Sequence, residues 1–239
     1  MKRTLLIAAC LLALSGCRDR EAERQAAAAA QAAQQEQAAE SLAKEYDAAV
    51  VSTNWELARV HGEALLSQYP DSAAAERIGA GYDEVKAKGE AARESRRLQA
   101  LWDYAQLGVE GGTQRSAAIH SVAPVDVDGS GAKPVQLVFR DHPKWKRSSY
   151  LVLQAGDFRC ASGCKVQVKA DDAAPRAMDA WRPNTDEAIA MFISDDKALW
   201  RLLRRTQKVE IQFPVKAGGT RTAVFEIGGL DGAQMPGWD

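Results

Sequence analysis

The sequence predicts an α+β protein: an N-terminal helical stalk and helical hairpin, then a C-terminal antiparallel β-sandwich or partly open barrel carrying one helix. Three observations predict it. An Ala/Gln/Glu-rich stretch gives way at Leu42 to apolar residues at three- and four-residue spacing, the helical period. Beyond Gly112 the period shifts to strict alternation between Gly-rich turns, the mark of short antiparallel strands. Leu199, Leu202 and Leu203 form one short amphipathic stripe inside that second part.

The chain opens with Lys2 and Arg3, then an apolar run from Thr4 to Leu14. That pattern fits a secretory leader over residues 1–16. The run is too short to span a bilayer, which needs about 20 apolar residues. It ends in Leu14-Ser15-Gly16-Cys17, which resembles the lipobox of bacterial lipoproteins. The resemblance implies cleavage before Cys17 and acylation of its thiol and freed amine. Buried acyl chains contribute about 0.8 kcal/mol per methylene, so several of them hold a protein on a membrane. Cys10 would leave with the leader. Arg18 follows Cys17, with Asp19 after it. In that lipoprotein class an aspartate directly after the cysteine retains the protein at the inner membrane, so the resemblance implies an outer-membrane address facing the periplasm.

Losing Lys2 and Arg3 moves the formal charge from -1 to -3. The balance is near neutral, whereas a nucleic-acid partner calls for a basic face. The lipid anchor is the expected membrane contact.

Residues 17–41 contain no large apolar side chain after Cys17, and Ala, Gln and Glu dominate. These are strong helix formers, but without an apolar seam they make no coiled coil. The segment reads as a solvated helix or a disordered linker, and as a spacer in either state.

Residues 42–107 read as a hairpin of three helices. Leu42, Tyr46, Ala49 and Val50 share one face. Ser52-Thr53-Asn54 offers capping groups for a second helix, which carries Trp55, Ala58, Leu65, Leu66 and Tyr69 and stops at Pro70. Asp71 or Ser72 can cap a third, expected from Ala73 to Tyr104. Gly79, Gly81 and Gly89 weaken it, and its charges beyond Val85 mix signs at three- and four-residue spacing as on a solvated face. The run from Ala64 to Ala74 resembles the turn of tetratricopeptide-type hairpins of bacterial envelope proteins. The resemblance covers about one and a half repeats, and stable arrays need three or more. A concave peptide groove is therefore not expected.

Residues 113–239 read as the β-rich domain. Strands are expected at 116–121, 134–140, 148–154, 165–170, 188–194, 208–215 and 221–228. The helix capped by Asp195 or Asp196 has a second face with Lys197, Arg201, Arg204 and Arg205, and Lys208 follows it. This is the densest basic patch of the domain. It serves as a solvated face or as contact with an anionic envelope polymer, lipid headgroup or acidic partner. Trp102 and Tyr104, the strand ending in Arg140, the Asp157-Phe158-Arg159-Cys160 turn and the Phe225–Leu230 run resemble small uncharacterised domains of proteobacterial periplasmic lipoproteins. That resemblance implies an address and no chemistry.

Cys160 and Cys164 are separated by Ala-Ser-Gly. In an oxidising compartment this spacing in a tight loop predicts a structural disulfide. It fits a C-x-x-C redox site poorly, and no histidine pair stands near to complete a zinc site. His61, His120 and His142 show no helical ligand spacing, and no nucleophile elbow is present. Asp171-Asp172 and Asp195-Asp196 read as turn and cap residues. The Asp126–Gly131 loop lacks the twelfth-position acid of a calcium loop, where Leu137 stands. Trp145, in a loop with Arg140 and Lys144, and Trp238 in the tail would suit carbohydrate or peptide contact, or pad the core.

The expected function is a non-enzymatic binding or assembly module, without cofactor or metal. Its partner would be an envelope protein or peptidoglycan. An envelope enzyme or accessory subunit with a site assembled in the β-domain is the alternative, and a purely structural spacer the third reading.

Overall fold

A computed structural model describes residues 4–184 and 189–238, with side chains from Arg20 onward. The expected leader and the Cys17 thiol fall outside those described side chains. The chain divides into two compact units, Met1–Arg93 and Glu94–Asp239.

The first unit holds α1 (Thr4–Val51), α2 (Trp55–Gln68) and most of α3 (Ala73–Gln99). The stretch expected as a spacer is helical: α1 is continuous, and Arg20–Gln37 are exposed throughout. From Ala39 the same helix acquires a buried stripe of Ala39, Ala43, Tyr46 and Ala49, packed on Ala58, Leu65, Ile78, Tyr82 and Val85. The turns follow their capping chemistry. The Asn54 side chain accepts from Leu57 N–H, and Ser72 Oγ accepts from Ala75 N–H. Glu36 of α1 also accepts from Ala73 N–H at 3.0 Å, placing a carboxylate at the positive end of α3. Gly62 and Gly89 mark close approaches. A Cβ on Gly62 would enter the Tyr82 ring, and one on Gly89 would lie 2.7 Å from Trp55 O.

Helix α3 ends at Gln99, not at Tyr104, and β1 (Trp102–Val109) begins at once. The expected boundary glycines belong to a hairpin: Val109 pairs with Gly112, and Gly111 turns the chain at φ 88°. A two-residue turn of this kind needs positive φ. The remaining strands are β2 (Gly112–His120), β3 (Gln136–His142), β4 (Lys146–Val152), β5 (Cys164–Ala170), β6 (Arg176–Trp181), β7 (Ala190–Ile193), β8 (Lys208–Pro214) and β9 (Thr220–Glu226). β1 and β6 lie outside the strands expected from alternation.

All nine strands form one antiparallel sheet in the order β1-β2-β3-β4-β7-β6-β5-β8-β9. The sheet curls without closing. Val122 N–H, just past β2, donates to Val224 O of β9 at 2.8 Å, bringing the far end of the strand order back beside the near one. Inward residues from all nine strands make one core, including Trp102, Ile119, Phe139, Leu151, Val166, Met178, Met191, Ile211 and Phe225. Helix α4 (Asp196–Leu203) adds Leu199, Trp200 and Leu203 to that core, and the tail adds Met235 and Trp238. Trp238 thus pads the core, its ring 5.4 Å from Phe139 and 5.0 Å from Trp200. Full burial of such side chains contributes about 1.5–3 kcal/mol each.

Motifs far apart in sequence converge at the end of β1. Tyr104 Oη accepts from Asp231 N–H at 2.7 Å. Gly229 lies so close to Leu98 and Gln99 that a Cβ there would overlap their backbone.

Candidate functional site

Strand alternation sends every second residue away from the core. On that outer face Tyr150 of β4 pairs directly with Phe192 of β7, and Phe192 with Trp181 of β6. Cross-strand neighbours of this size must meet. The Tyr150 and Phe192 centroids are 4.9 Å apart, and those of Phe192 and Trp181 4.8 Å. The stack continues past Tyr150. The Arg140 guanidinium of β3 sits 5.4 Å from the Tyr150 ring and 5.3 Å from the Trp145 ring. Trp145 in turn stacks on His142 at 4.1 Å. Six side chains from four strands and one loop therefore form a continuous ridge: Trp181, Phe192, Tyr150, Arg140, Trp145, His142.

Its most open members are Trp181 at one end, 47% exposed, and Trp145 beside the buried His142 at the other, 61% exposed. A soluble surface rarely leaves large aromatics contiguous without use. The Trp181 and Phe192 planes lie 17° apart, so each ring covers one face of the other. The ridge suits contact with a protein surface, where Trp, Tyr and Arg concentrate binding energy.

Electrostatics point the same way. Among the described residues Arg140 makes no ion pair, and its Nε is buried without a hydrogen-bond partner. An unpaired buried donor is costly, and the flanking rings offset only part of that cost. Burial raises the Tyr150 pKa and the Arg140 charge partly lowers it.

The rest of this face is built for rigidity. His142 is buried, and its Nδ1 accepts from the N–H groups of Lys144 and Trp145 at 3.0 and 3.3 Å. It shapes the β3–β4 turn, in which Lys146 takes φ 63°. His120 lies at the opposite end of the β2–β3 ladder, paired with Gln136, and His61 contacts Glu45 in the helical unit. Cys160 and Cys164 form a disulfide, with alpha carbons 5.1 Å apart. It closes the turn into β5, where Cys164 pairs with Ala180, next to Trp181. Asp157 braces the same corner: Arg182 Nε donates to its Oδ1 at 2.6 Å and Lys216 Nζ contacts Oδ2 at 2.5 Å. Burial opposes ionisation of Asp157. The bonds from Lys216, Arg182 and Phe158 N–H outweigh it and hold the carboxyl below its ordinary pKa.

Members of the acidic pairs accept bonds from backbone N–H groups. Asp195 accepts from Ala198 N–H at the start of α4. The Asp171 carboxylate accepts from the N–H groups of Gln207 and Lys208. In the Asp126–Gly131 loop, Asp126 accepts from Gly129 N–H, and Asp128 from Ser130 N–H and hydroxyl. Bonds from Ser130 hold the Asp128 pKa low. No group of three or more His, Cys, Asp or Glu among the described residues could hold a metal ion.

The basic patch divides. Arg201 and Arg205 line a cleft of about 630 Å³ with Ala170, Asp171, Ala173, Ala198, Leu202 and Thr206, and Arg176 joins them from β6. Lys208 instead contacts Glu210 at 3.3 Å. The Arg204 guanidinium packs over Gly232. Lys197 stays exposed outside the lining.

No protein family and no curated protein matches the chain. Among solved structures, the crystal structure of invasion associated protein B from Bartonella henselae is similar over 54% of this chain and 85% of that one. The identity is 12% and the TM-score 0.36. A likeness that slight carries no argument. No helix among the described residues is long and apolar enough to cross a membrane.

Proposed function

We propose that this chain is a non-enzymatic lipoprotein, anchored at the outer membrane through acylated Cys17 and facing the periplasm, whose β-domain docks another envelope protein. The lipobox resemblance at Leu14–Cys17 supports the anchor. The exposed helical stretch Arg20–Gln37 suits a spacer between lipid and folded domain: at about 1.5 Å per helical residue it reaches far beyond the headgroups.

The observation that carries the docking reading is the ridge, and within it Arg140. A cation held between two rings without a carboxylate is an interface group awaiting its partner. The docking protein supplies an acidic side chain to Arg140 and apolar contacts to the exposed rings of Trp181 and Trp145. His142 fits this reading, since its Nδ1 is committed to two backbone donors and is not free to act as a base.

The test is chemical crosslinking in intact cells with the native anchor, comparing the wild type with a Trp145→Ala/Trp181→Ala variant. One defined envelope protein crosslinked to the wild type and lost from the variant is the expected result. A crosslinked partner that persists in the variant moves the docking surface elsewhere and overturns the reading. Metabolic labelling with palmitate, lost on Cys17→Ser, tests the anchor separately.

A further inference from the structure

We propose that the cleft between α4 and the start of β6 is a binding site for a phosphomonoester, formed by Arg176, Arg201 and Arg205. It is separate from the docking ridge and stands or falls without it. Three guanidiniums face one carboxylate in the lining, and that carboxylate, Asp171, is occupied by two backbone N–H groups. Among the described residues none of the three arginines forms an ion pair, and all three are exposed. Other cations of this domain do meet carboxylates: Lys165 with Asp179, Arg182 and Lys216 with Asp157, Lys208 with Glu210.

Arg201 sits in the last turn of α4 and Arg205 two residues past its end, so two like charges crowd one helix terminus. The negative end of α4 accounts for their presence there. It does not account for Arg176, which a different element brings to the same cleft. Two elements converging arginines on one space make a site for an oxyanion, since guanidinium forks match phosphate geometry. The excess of two positive charges in the lining matches a phosphomonoester dianion. The cleft is far larger than a bare phosphate needs and falls in the range of small-molecule sites. Ala170, Ala173, Ala198 and Leu202 give it an apolar floor for the body of the ligand.

A phosphomonoester can come free in solution or at the head of an anionic lipid. Two monomeric probes separate these sources: glycerol 3-phosphate, and dihexanoyl phosphatidate with its short acyl chains. Titration of each into the full chain, followed by calorimetry, is expected to show saturable binding with Kd below about 1 mM for at least one. Tighter binding of phosphatidate would make the lipid the natural source, and tighter binding of glycerol 3-phosphate the free ester. Arg176→Gln and Arg201→Gln are each expected to weaken binding by about tenfold or more. Lys197→Gln removes the same charge from the same helix outside the lining, and is expected to change affinity by less than about twofold. The bound ester should also raise the Tm of the wild type and not that of the arginine variants, which separates loss of binding from loss of fold. Binding of neither probe overturns the proposal. So does a Lys197→Gln effect as large as that of Arg201→Gln, which would mean general charge attraction.

Discussion

The Trp181 ring stacks on Phe192 with centroids 4.8 Å apart, across the β6–β7 pair on the outer face of the sheet. Stacked aromatic pairs contribute about 0.5–1.5 kcal/mol beyond the area they bury. A double-mutant cycle of Trp181→Ala and Phe192→Ala in urea should give a coupling energy in that range. Additive effects would mean that the rings do not support each other. Trp181 is only half covered, so the single Trp181→Ala variant should remain folded and usable in binding assays.

Asp157 gives the β-domain a defined acid response. Its folded pKa is depressed, so its ion pairs with Arg182 and Lys216 stabilise the domain above the unfolded carboxylate pKa. That contribution fades as pH falls below about 4, through the folded value. Asp157→Asn should lower stability at pH 7 by about 1–3 kcal/mol. The gap between variant and wild type should narrow as pH falls below the ordinary carboxylate range, through the depressed folded value of Asp157. Parallel stability curves across that range would contradict the assignment.

Reduction of Cys160–Cys164 opens a loop of only a few residues. Chain entropy for so short a loop amounts to about 2 kcal/mol. Denaturation with and without reductant should show a loss of that order, shared by a Cys160→Ala/Cys164→Ala variant. Because Cys164 pairs beside Trp181, near-ultraviolet circular dichroism should register the change at the ridge.

Gly229→Ala should be among the most damaging single-methyl substitutions. Its Cβ would meet main-chain atoms of Leu98 and Gln99, which cannot rotate away as a side chain can. Overpacking of this kind costs about 1–3 kcal/mol. Gly81 has open space around it, and Gly81→Ala should stabilise the helix by up to about 1 kcal/mol. Thermal melts of the two variants should therefore shift in opposite directions.

Much of this architecture is legible in the chain, and the gaps have physical causes. Val135, Leu137 and Phe139, or Val209, Ile211 and Phe213, alternate plainly because each strand has one face in the core. β6 reads Arg-Ala-Met-Asp-Ala-Trp, without a β-branched residue. It is a strand because β5 and β7 pair with it on either side, a tertiary effect that overrides propensity. β1 is an edge strand, mostly exposed, so its alternation is faint and it reads as the end of α3.

The same cause hid the two candidate surfaces. Trp145 and Arg140 stand close in sequence, but Trp181, Phe192 and Tyr150 join them only through strand order. The basic patch shows in the run from Lys197 to Lys208. Which of its members share the cleft, and that Arg176 completes it, depends on where β6 ends up beside α4.

The most direct measurement is photo-crosslinking in intact cells, with a photoreactive amino acid placed at position 181 on the ridge or at exposed position 212 on β8. The docking account predicts a single covalent adduct with an envelope protein from position 181, absent from position 212 and suppressed by Arg140→Gln. No adduct from position 181, or the same adduct from both positions, would contradict it.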